Sequence, residues 1–291
     1  MAIKKLNTKT LKTRALTALI FLAIMVSGLL INQWTFYLLF FIIHWGCWTE
    51  FEKLMKIIYP AYATADPRTT SLPKLIGCGF LIYCLPHSII IGGLELYFIG
   101  LMILLIGLVK FIFGVFREKE NRRPLLFVAG GGLLYISVSW GLMIHLRNVH
   151  FMGYPIGFIA ALTLVGAIWI NDTMQYLVGS LIGQTPFSQI SPNKTLEGTL
   201  GGSFLCILVV SMMGYWWVDP ALLNLFIIVS LIAAVVGTAG DLLESKIKRR
   251  AGVKDSGSIM PGHGGFLDRF DSLILATPIV WLVMVLWYLI D

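Results

Sequence analysis

The residues best able to do chemistry are concentrated in a polar segment, residues 245–271, which interrupts an otherwise apolar chain. Its basic residues are Lys246, Lys248, Arg249, Arg250, Lys254 and Arg269, and its acids are Asp255, Asp268 and Asp271. Carboxylates are hard oxygen ligands of the kind that Mg²⁺ prefers, and lysine and arginine pair with phosphate oxygens. The segment therefore predicts a site at which a metal ion and basic side chains hold phosphate groups.

An acid also occurs inside a long apolar run upstream of this segment. Asp172 follows Asn171 in the stretch AIWINDTMQYLVG. An ionisable residue at membrane depth is costly enough to indicate a functional site. The alternative is a carboxylate satisfied by neighbouring helices or by Thr173.

A second upstream cluster, residues 191–202, combines a Ser-Pro-Asn turn with Lys194 ahead of an apolar run. The backbone N–H groups at the start of a helix favour anions, and Lys194 adds a positive charge there. In the plainer interpretation, Thr195 or Asn193 caps an ordinary helix and the glycines only permit close packing.

Two pairs of acids have helical spacing. In GTAGDLLES, Asp241 and Ser245 lie four residues apart on one helix face, with Glu244 one turn after Asp241, and Asp268 and Asp271 are three residues apart and share a face if their segment is helical. Glycines near His263 would let the backbone approach a phosphate closely. These glycines are Gly262, Gly264 and Gly265.

The elements that must position these residues are membrane helices. The chain is 57% hydrophobic and only 13% charged, and its mean hydropathy of +0.84 is far above that of soluble domains. Apolar runs of about 20 residues recur, which is the length at which a helix crosses a hydrocarbon core. We therefore expect an all-α, polytopic integral membrane protein with about nine transmembrane helices. The predicted spans are 15–32, 34–51, 72–92, 95–116, 125–146, 155–182, 199–218, 222–243 and 272–290, of which the second and sixth contain polar residues that could break or tilt them.

The distribution of basic residues predicts the orientation. The N-terminal tail carries five basic residues and no acid, which predicts a cytoplasmic N-terminus. The first apolar run is too long for a secretory signal and lacks a small-residue cleavage site. Counting spans then places the basic loops 52–71, 117–124, 183–198 and 244–271 in the cytoplasm. This asymmetry accounts for most of the net charge of +7, so we expect contacts with membrane lipids and no nucleic-acid partner.

Polar groups are unevenly distributed along the chain. Residues 1–150 form a region of N-terminal transmembrane helices with few polar groups, whereas residues 151–291 carry the clusters described above. We expect the second region to be catalytic, with its two cytoplasmic loops contributing to the site. The four cysteines lie in apolar spans without a CxxC pair, and predict neither a disulfide nor a metal site.

These motifs resemble the signature of the phosphatidate cytidylyltransferases, also called CDP-diacylglycerol synthases. In the polar segment the matching positions are Ser245, Ile247, Lys248, Arg249, Lys254, Asp255, Gly257, His263, Gly264, Gly265, Phe266, Asp268, Arg269, Phe270 and Asp271. Upstream they are Asn171, Asp172, Tyr176, Ser191, Pro192, Lys194, Thr195, Glu197, Gly198, Gly240, Asp241 and Glu244. Met260, Leu196 and Gln175 depart from the usual residue types, and the last two leave the substrate detail open. Residues 1–150 resemble the family only in being apolar and multi-spanning.

The resemblance implies that the phosphate of phosphatidate attacks the α-phosphorus of CTP, giving CDP-diacylglycerol and pyrophosphate. It also implies Mg²⁺ as cofactor, with room for a second, monovalent cation. Asp241 and Asp268 would be the main metal ligands, with Asp271 and Asp172 as additional candidates. Candidates for phosphate contacts are Lys194, Lys248, Arg249, Lys254 and Arg269, and further candidates for holding the nucleotide are Ser191, Thr195, Glu197, Gly264 and Gly265. His263 is a candidate for catalysis, for a pyrophosphate contact or for a structural hydrogen bond.

Two other functions stay open at the level of sequence. One is a related CTP-dependent transferase that acts on another lipid phosphate or on a polyprenol. The other is an ion-coupled secondary transporter, since buried acids and broken spans also mark coupling-ion sites. Transporter acids gather near the midplane, whereas these acids and bases cluster in loops. We expect CTP, phosphatidate and membrane lipids as partners, leave a homodimer open, and expect a bacterial inner-membrane location with the active site facing the cytoplasm.

Overall fold

The computed structural model describes residues 8–118, 122–151, 154–188, 190–191, 194–258 and 264–290. Within these residues the chain is almost entirely helical. The helices are α1 (Thr8–Leu30), α2 (Gln33–Ile58), α3 (Pro60–Ala63), α4 (Pro67–Tyr83), α5 (Leu96–Arg117), α6 (Arg122–Gly132), α7 (Val138–Arg147), α8 (Ile156–Ile182), α9 (Leu196–Trp217), α10 (Leu223–Ile232), α11 (Thr238–Arg250) and α12 (Leu267–Ile290). A π-helical turn, Leu133–Ser137, joins α6 to α7, and another, Ala233–Gly237, joins α10 to α11.

The described strands form one small exception to the all-α prediction. Strand β1 (Ile90–Ile91) pairs with β2 (Leu94–Glu95) in an antiparallel hairpin ahead of α5. Gly92 and Gly93 connect them with φ values of +61° and +84°, which glycine adopts without steric cost. The hairpin is a local turn and leaves the all-α class unchanged.

The helices confirm an integral membrane protein. Six helical stretches of the described chain are long and apolar enough to cross a membrane, namely Leu96–Arg117, Arg122–Arg147, Ile156–Ile182, Leu196–Trp217, Pro220–Arg250 and Leu267–Trp287. The three remaining predicted spans coincide with α1, α2 and α4 and are not among these six; within α1, Leu16–Leu30 forms a shorter apolar helical stretch. The number of nine crossings and the cytoplasmic N-terminus stay predictions.

Both polar spans are continuous helices. Asn32 starts α2 with a capping box, in which its side chain accepts from the backbone N–H of Thr35 and the Thr35 side chain accepts in return. Helix α8 is also unbroken, so the alternative of a broken sixth span is wrong. Its buried amides face other helices: Gln175 Nε2 donates to Thr238 Oγ1 at 3.0 Å, and Asn171 Oδ1 accepts from Ser203 Oγ at 3.5 Å. Side-chain partners on neighbouring helices therefore make a break unnecessary.

The predicted loop 244–271 is shorter in the structure, because helices extend into it from both sides. Helix α11 continues to Arg250, and the basic residues of its last turn complement the helix macrodipole. It ends in a Schellman motif: Gly252, at φ +70°, donates to the carbonyl of Arg249, and Val253 donates to that of Lys248. Leu267 starts α12. This correction places Asp268 and Asp271 in the first turns of a helix.

Helix α12 lies at the centre of the packing and contacts α2, α7, α8 and α11. Its Phe270 lies 5.7 Å from Trp140 between ring centroids, and Trp140 lies 5.5 Å from Phe40 of α2. These aromatic residues are almost completely buried. Packing thus crosses the predicted boundary at residue 150 and ties the N-terminal helices to the helix that carries two of the candidate acids.

Candidate active site

Three carboxylates converge where α11 meets α12. Asp241 and Glu244 of α11 and Asp271 of α12 each offer an oxygen, and these oxygens lie within 4.8 Å of one another. The helices approach closely because Gly240 has no side chain: a Cβ there would lie only 2.5 Å from the carbonyl oxygen of Asp271. One helical turn separates Asp241 from Glu244, so both reach the same point.

The cluster has the donor set of a hard divalent cation. Glu244 is 1% exposed, and its Oε1 has no hydrogen-bond partner among the described residues. A buried carboxylate oxygen without a partner is costly, and three negative groups this close repel one another. A cation with oxygen ligands removes both costs, and Mg²⁺ fits carboxylates of this kind. Glu244 was missed as a candidate ligand, although its spacing from Asp241 was visible in the sequence.

Asp268 has a different set of neighbours from the other predicted metal ligands. Its Oδ1 accepts from Lys248 Nζ at 2.6 Å, and its Oδ2 accepts from the backbone N–H groups of Ser256 at 2.9 Å and Gly265 at 2.7 Å. Lys248 Nζ also lies 2.5 Å from Glu244 Oε2. Asp268 therefore adjoins the carboxylate cluster through Lys248, and its role as a direct metal ligand stays a prediction.

Lys194 brings the preceding loop to the same place by forming an ion pair with Asp241. The loop is held by backbone pairing, in which Phe187 donates to the carbonyl of Lys194 at 2.7 Å. Glu197, which follows the loop, holds the start of the loop by accepting hydrogen bonds from the backbone N–H groups of Gln184 and Thr185 at 3.1 Å. These contacts fix the position of Lys194 relative to α11.

The helix after this loop, α9, has the ordinary side-chain cap that the plainer interpretation of residues 191–202 predicts. Thr195 is the N-cap of α9, and its Oγ1 accepts from the N–H of Gly198 at 3.1 Å. Gly198 packs against α8, where a Cβ would lie 2.7 Å from Gly179 Cα. Thr195 and Glu197 are therefore engaged in structural hydrogen bonds, and nucleotide contacts by these two residues stay predictions.

A cavity of about 530 Å³ connects these groups. The volume lies within the range of ordinary small-molecule sites. Its lining includes Asp172, Gln175, Tyr176, Ser191, Lys194, Thr195, Asp241, Asp268 and Asp271. All four acids that the sequence nominated as metal ligands thus face one cavity, although they come from three helices.

Several other nominated residues lie at its edge or beyond it. Arg249, Lys254 and Arg269 are exposed, and the Arg249 guanidinium donates to the carbonyl of Val253 at 3.2 Å. Gly264 has a φ of +80°, and a Cβ there would lie 2.5 Å from Asp268 Oδ2. The backbone at Gly264 therefore fits closely around a carboxylate. His263 lies outside the described residues.

Comparison with known proteins decides the family. A model of the cytidylyltransferase family matches residues 12–287.

The chain belongs to the cytidylyltransferase family.

Curated relatives of this cytidylyltransferase-family chain carry the name phosphatidate cytidylyltransferase. One from Synechocystis is 43% identical over 147 residues, which is 47% of this chain and 47% of the relative. Those from Staphylococcus haemolyticus and Staphylococcus aureus strain COL are 44% and 46% identical over 120 and 121 residues, covering 40% of this chain and 46% of each relative. The chain therefore spans about half the length of the curated relatives it matches.

Proposed function

We propose that this chain transfers the CMP group of CTP to phosphatidate, giving CDP-diacylglycerol and pyrophosphate. The observation that carries the proposal is the cavity in which Asp241 and Asp271, two members of the carboxylate cluster, lie beside Lys194. The printed names of the curated relatives support the same reaction.

The reaction requires several negative phosphate groups to come together, so its main demand is charge neutralisation. Phosphoryl-type transfer is mostly positioning and electrostatic stabilisation. Lys194 lies in the cavity wall and can pair with a phosphate oxygen if the ion pair with Asp241 opens. Lys248, which lies between Glu244 and Asp268, offsets part of the negative charge of these two carboxylates.

Mg²⁺ is the proposed cofactor, and Asp241, Glu244 and Asp271 are the proposed residues that hold it. When bound, the ion would supply positive charge to polarise the phosphate oxygens of CTP. Asp172 faces the same cavity from α8 and is an additional candidate. The proposal also includes a second, monovalent cation, which would be bound by the acids that line this cavity.

The attacking oxygen belongs to the lipid phosphate, and this phosphate needs no strong general base. The second ionisation of a phosphate monoester lies near pH 6, so the nucleophile is already largely deprotonated at neutral pH. The α8 wall supports access for a lipid, since Tyr176 lines the cavity and is exposed together with Leu177 and Leu181. Acyl chains would lie along these side chains while the phosphate reaches the cation that the acids would hold.

The proposed location is a bacterial inner membrane with the cavity open to the cytoplasm. The end of α11 next to the carboxylate cluster carries Lys248, Arg249 and Arg250, followed by the exposed Lys254. Basic residues next to membrane helices are retained on the cytoplasmic side. A cytoplasmic cavity would also be open to CTP.

The test is an assay of the purified chain in lipid–detergent micelles with labelled CTP and Mg²⁺. We expect phosphatidate to yield a labelled CDP-lipid and unlabelled pyrophosphate when the label is in the α-phosphate. An archaeol-type phosphate serves as a competing acceptor with the same label. A polyprenol, which as an alcohol would accept the terminal phosphoryl group and release CDP, is tested with CTP labelled in the γ-phosphate. Labelled product from one of these acceptors and none from phosphatidate would replace the proposal with the related lipid transferase.

A further inference from the structure

Glu50 of α2 reaches the polar segment of the site although it is more than two hundred residues away in sequence. Its Oε1 accepts from the backbone N–H of Phe266 at 2.9 Å, and its Oε2 accepts from the N–H of Leu267 at 2.9 Å and from Ser256 Oγ at 2.7 Å. The side chain belongs to a residue that is only 4% exposed. A carboxylate from the N-terminal region thus caps the start of α12.

The surroundings of Glu50 are shaped to hold a carboxylate. A Cβ on Gly265 would collide with both carboxylate oxygens of Glu50, and a Cβ on Gly257 would collide with Oε1. The N–H groups at the start of α12 carry the positive end of the helix dipole and form charge-assisted bonds with an anion. Three donors and two close glycines together account for the burial of a charged group here.

Ser256 connects Glu50 to the site. Its Oγ lies 2.7 Å from Glu50 Oε2 and 2.9 Å from Asp268 Oδ2, and its backbone N–H donates to Asp268. The hydroxyl has one proton, so it can donate to only one of the two carboxylates at a time. Movement of Glu50 would therefore disturb Ser256, Asp268 and the first turn of α12 together.

We infer that Glu50 is a positioning residue for the active site, because it holds residues 256–257 and 265–267 in the arrangement that directs Asp268 and Asp271 to the cavity. The inference rests on the proposed function of that cavity. It assigns the N-terminal helices a part in the reaction, whereas the sequence motifs confine the reaction to the second half of the chain. A side chain important only for stability would leave the turnover of correctly folded molecules unchanged.

The principal variant is Glu50→Gln, which keeps the length of the side chain and removes its charge and one acceptor oxygen. The matched control is Glu52→Gln on the same helix. Glu52 forms an i,i+4 ion pair with Lys56, with 2.8 Å between the nitrogen and the oxygen, and it does not line the cavity. Both proteins are purified in the same lipid–detergent micelles. Turnover is measured per folded molecule, together with amide hydrogen exchange over residues 254–258 and 264–271 and the thermal shift produced by Mg²⁺ alone.

For Glu50→Gln we expect a fall in kcat on the order of 10- to 100-fold, with a smaller change in the KM for CTP, because misplaced catalytic groups lower turnover more than binding. Amide exchange at Phe266 and Leu267 should accelerate at least about tenfold, because their acceptor is weakened. The Mg²⁺-induced thermal shift should shrink. Glu52→Gln should match the parent chain in all three measurements.

Ser256→Ala provides a second route if Glu50→Gln does not fold. It removes the shared hydroxyl and leaves both bonds from Glu50 to α12, so it should lower kcat by a smaller factor and speed exchange mainly around residue 256. Normal turnover of folded Glu50→Gln, or of Ser256→Ala where only that variant folds, would overturn the inference. If the parent chain transfers no CMP to phosphatidate, the proposed function fails, and amide exchange and the Mg²⁺ shift still decide the role of Glu50.

Discussion

Lys248 Nζ lies 2.6 Å from Asp268 Oδ1, and the same ammonium group lies 2.5 Å from Glu244 Oε2. The lysine is thus shared between a residue one turn away on α11 and a residue at the start of α12. Its side chain is 12% exposed, so solvent screens the interaction weakly. One positive charge therefore links the carboxylate cluster to the Glu50-capped turn.

Replacing Lys248 by Met should disable the site. The change leaves Glu244 and Asp268 without their common cation, and breaking a buried pair of this kind costs about 3–5 kcal/mol. We expect a lower unfolding temperature and loss of CMP transfer, with little recovery in Lys248→Arg, because a planar guanidinium cannot occupy the same point between two carboxylates. Lys246→Met, an exposed position on the same helix, is the control, and equal losses in both variants would argue against a specific role.

The carboxylate cluster should be the determinant of metal dependence. Asp241→Asn, Glu244→Gln and Asp271→Asn should each lower turnover at saturating CTP by about 100-fold or more, since each removes a charged ligand of the reaction's electrostatic site. Asp268→Asn should also abolish turnover, because it removes the negative charge that pairs with Lys248 and one of the two acceptor oxygens. The readout is product formation across a Mg²⁺ titration. Asp219→Asn is the control, because Asp219 caps a short turn at Ala221, and near-normal turnover in the Asp241 or Asp271 variant would refute the metal assignment.

Gly240→Ala should separate α11 from α12. The added methyl group would lie 2.5 Å from the Asp271 carbonyl oxygen, which is closer than packed atoms approach. We expect a loss of stability of about 1–3 kcal/mol from overpacking and a fall in turnover, because the three carboxylates no longer converge. Gly166→Ala on α8 is the matched helical control, since nothing lies within 4 Å of a Cβ there. Thermal unfolding and CMP transfer measured on both variants would distinguish local crowding from a general effect of alanine.

Glu197 should affect CTP binding through the loop that carries Lys194. Glu197→Ala removes the acceptor for the N–H groups of Gln184 and Thr185, and so loosens the loop. We expect the KM for CTP to rise about three- to tenfold, with a smaller change in kcat, because a loosened loop positions Lys194 less well for binding. Glu95→Ala is a suitable control, since Glu95 makes no side-chain capping bond at the start of α5. An unchanged KM would show that the loop is held by other contacts.

The membrane class and the composition of the site could be predicted from sequence because both depend on residue type and local spacing. Apolar runs of helical length predict membrane helices, and the acids and bases among them predict Asp241, Asp271, Lys194 and Asp172 as site residues, all of which line one cavity. Helix boundaries were less accurate, since α11 continues through its basic last turn to Arg250. The Schellman motif at Gly252 decides that end, and it depends on backbone geometry.

The sequence by itself determined that this is a polytopic helical membrane protein of the cytidylyltransferase type, with acids and bases concentrated in its second half. Only the tertiary structure decided which acids converge, placing Glu244 with Asp241 and Asp271 and giving Asp268 to Lys248 and Ser256. It also decided that Glu50 caps α12. The physical reason is that local pattern controls helix formation, whereas contacts between distant residues depend on how closely segments approach. Here Gly240 permits the approach of α11 to α12, and Gly257 and Gly265 leave room for the Glu50 carboxylate.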